Sequence, residues 1–78
     1  MTYAQKIKAQ QAGQLLKLIE YFGGQTVLAN KVGVSAQVVH NWTKRGRISA
    51  SRAIVAETLT GGEFKKEQLR PDVLVWEK

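Results

Sequence analysis

Apolar residues recur along this chain at the spacing of one helical face, and glycines cut the recurrence into segments. Leu15, Leu18, Ile19 and Phe22 share one side of a helix that Gly23-Gly24 ends. That helix is predicted over about Gln14 to Phe22. Ile7 and Ala12 extend the pattern backward, but Gly13 weakens its continuity, so residues 1–13 read as a loose or partly helical arm. Leu28, Ala29 and Val32 mark a second helix from about Gln25 to Val32. Val39 and Trp42 mark a third, about Ala36 to Arg45, stopped by Gly46. Ile48 anchors the turn that follows, and Ser49 or Ser51 caps a fourth helix running to about Thr60. Ala53, Ile54, Ala56 and Leu59 are its expected buried side, and Gly61-Gly62 ends it. A last helical turn is expected around Lys65 to Leu69, where Pro71 restricts Arg70 and opposes continuation. Val73-Leu74-Val75-Trp76 is β-prone and compatible with an extended arm, but one short apolar segment does not make a sheet. The expected fold class is all-α, with about five short helices. The expected division is an arm at 1–13, a domain at 14–72 and a tail at 73–78.

The run from Gln25 to Lys44 carries the most information. Two short helices meeting at a sharp turn need its order of apolar, small and glycine residues. Ala29 is small where the second helix of the pair crosses close to the first. Gly33 stands where the chain must leave a helix with positive φ, which glycine adopts without steric cost. Leu28, Val32, Val34, Val39 and Trp42 then fall on the inner faces of both helices. Ser35 opens the next helix, where its hydroxyl can accept a hydrogen bond from a free backbone N–H. This is the pattern of a helix-turn-helix, whose second helix can lie in the DNA major groove.

The run FGGQTVLANKVGVSAQVVHNWTKRGRIS, with the later segments Thr60 to Gly62 and Leu69 to Val73, resembles the Cro/YdaS-type group of phage and prophage DNA-binding regulators. The resemblance spans about Leu15 to Val73, and the first dozen residues have no counterpart in it. It implies a lambda-repressor-like domain and a Cro-like repressor function. Some members of the group are all-helical and others end in a β-hairpin. The Ile54 to Leu59 pattern and the lack of a hairpin turn favour the helical form here.

Length and charge narrow the function. Seventy-eight residues bury only about 60–65% of the unfolded surface, enough for one small core and no deep substrate cavity. The chain has no cysteine, which excludes disulfides and thiolate metal sites. Its apolar runs fall far short of the roughly 20 residues that span a bilayer, and its beginning lacks the apolar centre of a secretory signal. A cytoplasmic location is expected. The net charge is +6, of which +4 lies between Gln25 and Ile48, against +2 before that segment and zero after it. The excess therefore coincides with the helix-turn-helix, as phosphate neutralisation requires.

On the third helix Val39 and Trp42 point inward, leaving Ser35, Ala36, Gln37, His40, Asn41 and Lys44 on the outer side. Gln37 and Asn41 are four apart on one face, and each amide can pair with both N6 and N7 of adenine. Ala36 offers a methyl to thymine or simply allows close approach, and His40 can donate to guanine or a phosphate. Ser35, Ala36, Gln37, His40 and Asn41 match the base-reading positions of the Cro-like pattern. Gln25 begins the second helix, where exposed N–H groups favour an anion, and in similar repressors a glutamine here holds a phosphate. Thr26 could add its hydroxyl. Lys44, Arg45 and Arg47 fit a phosphate clamp, with Arg45 and Arg47 as ordinary helix-end charges the alternative. Ser49 and Ser51 are caps or, with Arg52, a further phosphate contact.

No triad, glycine-rich phosphate loop or metal-ligand cluster supports an enzyme, a cofactor or a small-molecule ligand. The expected partner is a double-stranded DNA operator, bound by a homodimer. Val73, Leu74, Val75 and Trp76 either pack on their own core or form the dimer contact. The competing function is a YdaS-like antitoxin or interaction module that uses the same apolar segment.

Overall fold

The computed structural model describes residues 2–73 of the chain. Five helices follow one another: α1 Tyr3–Phe22, α2 Gln25–Val32, α3 Ala36–Arg45, α4 Ala50–Leu59 and α5 Lys66–Leu69. Among the described residues there is no strand, as the all-α expectation requires. None of their helices is long and apolar enough to cross a membrane.

The helix-turn-helix forms because both of its ends are specified locally. At Gly33 the backbone turns left-handed at φ 78°, and its N–H donates to the Ala29 carbonyl at 3.0 Å. A β-carbon there would meet nothing within 4 Å, so the glycine serves the backbone conformation and not a close approach. Ser35 then caps α3 by accepting from the Val38 N–H at 3.2 Å. Between these points α2 and α3 pack on each other through Leu28, Ala29, Val32, Val39 and Trp42, all buried. Trp42 is the largest of these side chains and is 1% exposed.

The remaining helices close the core around this pair. Leu15 and Leu18 of α1, Ile48 of the α3–α4 turn, Ala53 and Ala56 of α4, Phe64 and Leu69 complete it. Thr60 is buried with its hydroxyl satisfied at both ends. It donates to the Ala56 carbonyl at 2.9 Å and accepts from the Phe64 N–H at 3.1 Å. The short α5 packs against both α1 and α4.

Two sequence expectations need correction. The first helix does not begin near Gln14: residues 3–13 are helical and continuous with the rest of α1. Thr2 and Gln5 form a reciprocal capping box, with the Gln5 N–H donating to Thr2 Oγ1 at 3.2 Å and the Thr2 N–H to Gln5 Oε1 at 2.8 Å. Alanine, glutamine and lysine fill the next turns, which outweighs the roughly 1 kcal/mol penalty of Gly13. The second correction concerns α4, whose buried side is Ala53 and Ala56 with Val55 partly covered. Ile54 and Leu59 instead stand 46% and 43% exposed, since neighbouring apolar residues on a helix cannot all face one core.

Candidate nucleic-acid interface

The buried Val39 and Trp42 fix the rotation of α3, and its other side faces outward. Ser35, Ala36, Gln37, His40, Asn41, Lys44 and Arg45 are all exposed, as is Arg47 in the turn beyond. The sequence-predicted residues of α3 therefore come together on one open face. Within it, Gln37 Nε2 donates to Asn41 Oδ1 at 3.1 Å, an i, i+4 pairing that aligns the two amides. Each retains a second donor hydrogen or lone pair in addition to its other polar atom, so bidentate pairing with a base stays open to both. The Ser35 oxygen is engaged as the α3 cap, but a hydroxyl also carries a proton to donate.

At the start of α2, Gln25 is half-buried and Thr26 exposed. The cap residue Gly24 has no side chain to satisfy the first N–H groups of that helix. Those groups and the helix dipole favour an anion at this end. At the far end of α3, Lys44 and Arg45 occupy the last turn before Gly46, whose left-handed φ of 80° ends the helix.

Arg45, Arg47, Ile48, Ser49, Ala50 and Arg70 line a recess of about 150 Å³ at the start of α4. Ser49 holds the N-cap position there, but its hydroxyl makes no capping bond. The capping role expected of it is therefore met in position only. Arg70 has no counterpart in the sequence-based assignment. It enters the recess through long-range contacts, donating from Nη1 to the Ile48 carbonyl at 3.1 Å.

Arg70 also forks onto Asp72, with Nε to Oδ1 at 2.8 Å and Nη2 to Oδ2 at 2.9 Å. Gln11 of α1, only 3% exposed, donates from Nε2 to Asp72 Oδ1 at 2.6 Å. The Arg70 hydrogen bonds hold the Asp72 carboxyl below the usual carboxylate range against partial desolvation, and Arg47 adds a smaller pull. A depressed folded-state value makes the contribution to stability present at neutral pH. It is lost as the pH falls below the ordinary carboxylate range. Of the expected dimer residues, Val73 is half-buried, while Leu74, Val75 and Trp76 lie outside the described residues.

Comparison with known proteins gives these positions a setting. A family profile described as "Bacterial toxin YdaS" matches residues 15–78. The chain is 40% identical over 63 residues to the regulatory protein Cro of Pseudomonas phage D3, covering 78% of this chain and 84% of that protein. It is 42% identical over 52 residues to YdaS of Escherichia coli (strain K12), which its name proposes as a transcriptional regulator. That match covers 65% of this chain and about half, 53%, of the relative. No solved structure matches the chain. The profile match extends over most of the sequence and includes the whole helix-turn-helix, so the protein belongs to the YdaS family of Cro/YdaS-type phage regulators.

Proposed function

We propose that this protein is a sequence-specific regulator of transcription, a Cro-like prophage repressor that reads operator half-sites with α3 in the major groove. One observation carries the reading: a single exposed face of α3 joins Gln37 and Asn41 to Lys44 and Arg45, over a buried Val39 and Trp42. Amides supply base discrimination, and cations beside them supply phosphate affinity. The names of the phage Cro protein and of YdaS as regulators agree with this.

Phosphate contacts are assigned to Lys44, Arg45 and Arg47, with Gln25 and Thr26 at the start of α2. Neutralising Lys44, Arg45 and Arg47 together is expected to weaken operator and random duplexes alike. The slope of log affinity against log salt should fall by roughly 0.9 for each true contact removed. Titrations across a salt series measure it, and an unchanged slope in the triple variant would move the clamp elsewhere.

One reading helix covers few base pairs, too few for specific affinity against a genome of competing sites. Two copies related by a twofold axis would place their α3 helices about 34 Å apart, on half-sites one turn from each other. Val73 to Trp76 is the assigned dimer contact; of the rival surface near Leu59 and Phe64 at the end of α4, Leu59 is exposed and Phe64 is buried. The second reading is an antitoxin-like interaction module using the apolar tail, although the family profile is described by the name of a toxin. The two separate in a competition assay. A repressor prefers one duplex over random DNA in a salt-dependent manner, and an interaction module alone does not.

A further inference from the structure

The carboxylate of Asp72 stands beside a cation assigned to DNA. Its Oδ2 lies 3.7 Å from Arg47 Nη1, and the Arg47 side chain is 50% exposed. The carboxylate itself is fastened from elsewhere, by two bonds from Arg70 and one from Gln11. Arg70 is in turn tied to the Ile48 carbonyl, in the turn that carries Arg47. The negative charge is therefore held in place whether or not Arg47 is paired with it. Arg47 can leave without stripping Asp72 of its hydrogen bonds. At this separation the two charges sit well inside the screening length of about 8 Å at physiological salt.

We propose that Asp72 is a built-in counter-charge at the DNA interface: it occupies Arg47 in the free protein, so an incoming phosphate must displace it. The inference rests on the reading of Arg47 as a phosphate contact. It adds an acidic residue, outside the helix-turn-helix, that restrains affinity for all duplexes without touching base readout. Gln11, which supplies one hold on Asp72, lies ahead of the family match at residues 15–78. That part of the restraint therefore comes from the extension of α1.

Asp72→Asn removes the charge and keeps one acceptor oxygen for Gln11 and Arg70 Nε, while its NH2 replaces the oxygen that accepts from Arg70 Nη2. It is expected to tighten binding to operator and random duplex alike by about two- to five-fold, the range for loss of one competing surface ion pair. The gain should shrink as salt is raised. In an Arg47→Gln background the same change should give a clearly smaller gain, because the Arg47 pair is already gone and only the Arg70 pair is left to relieve. A purely structural role for Asp72 predicts the opposite, with unchanged or weaker binding in Asp72→Asn. Thermal melting establishes that each variant is folded, and Asp72→Ser replaces Asp72→Asn if the latter does not fold. Arg47→Gln alone separates the phosphate contact of Arg47 from the counter-charge of Asp72. If it leaves affinity unchanged, the phosphate assignment fails. If it weakens binding while the folded, uncharged position 72 gives no gain, the counter-charge fails.

Discussion

Trp42→Ala is expected to remove a large part of the folding stability of the chain. Trp42 is 1% exposed and the largest fully buried side chain among the described residues, seated where α3 meets the core. Truncating a buried aromatic of this size costs about 3–5 kcal/mol, through lost transfer energy and the cavity left behind. A domain of this length has only about 4–12 kcal/mol in total. The loss also falls on the element that carries the outward amides, so DNA binding should weaken together with stability. Trp42→Phe restores much of the packing and should cost about 1–3 kcal/mol. Urea unfolding followed by circular dichroism gives both numbers. A Trp42→Ala variant with the parent's midpoint would contradict the inward rotation of α3, and with it the assignment of the outer face.

The second large effect belongs to that outer face. Gln37→Ala or Asn41→Ala should each cost roughly 1–3 kcal/mol at the preferred duplex and relax discrimination at one or two base pairs. Affinity for random DNA should barely change, since phosphate contacts carry that term. The mutual bond between Gln37 and Asn41 adds a further expectation, that the two losses are not additive. Removing either amide frees the other from its alignment, so the double variant should lose less than the two single losses combined. Both side chains are exposed, so folding stability should change little. Competition binding against single-base variants of the duplex measures all of this, and an unaltered preference profile in both mutants would remove α3 from the reading role.

The parts of this molecule legible in the sequence are those fixed by short-range chemistry. The bounds of α2 and α3 follow from Gly33, Ser35 and Gly46, whose backbone demands are local. The inward spacing of Val39 and Trp42 then sets which α3 residues face outward. The start of α1 was not legible by the same rule. Gly13 looked like a break, while the capping box at Thr2 and the buried Gln11 hold the helix together across it. On α4 a crowded apolar pattern hid the true face, which belongs to two small alanines while Ile54 and Leu59 turn outward. The network around Arg70 and Asp72 is not legible in the sequence, because its Gln11 bond spans 61 residues and its Ile48 bond spans 22. Such contacts depend on α5 packing against α1, and no local pattern encodes that.

The most direct test is selection of bound duplexes from a random DNA pool by the full-length chain. Enrichment of one sequence with twofold symmetry is expected, its half-sites about one helical turn apart. The positions of strongest enrichment should be those whose preference is lost in Gln37→Ala and Asn41→Ala. A pool that is retained at low salt but stays random in sequence would contradict sequence-specific recognition by α3.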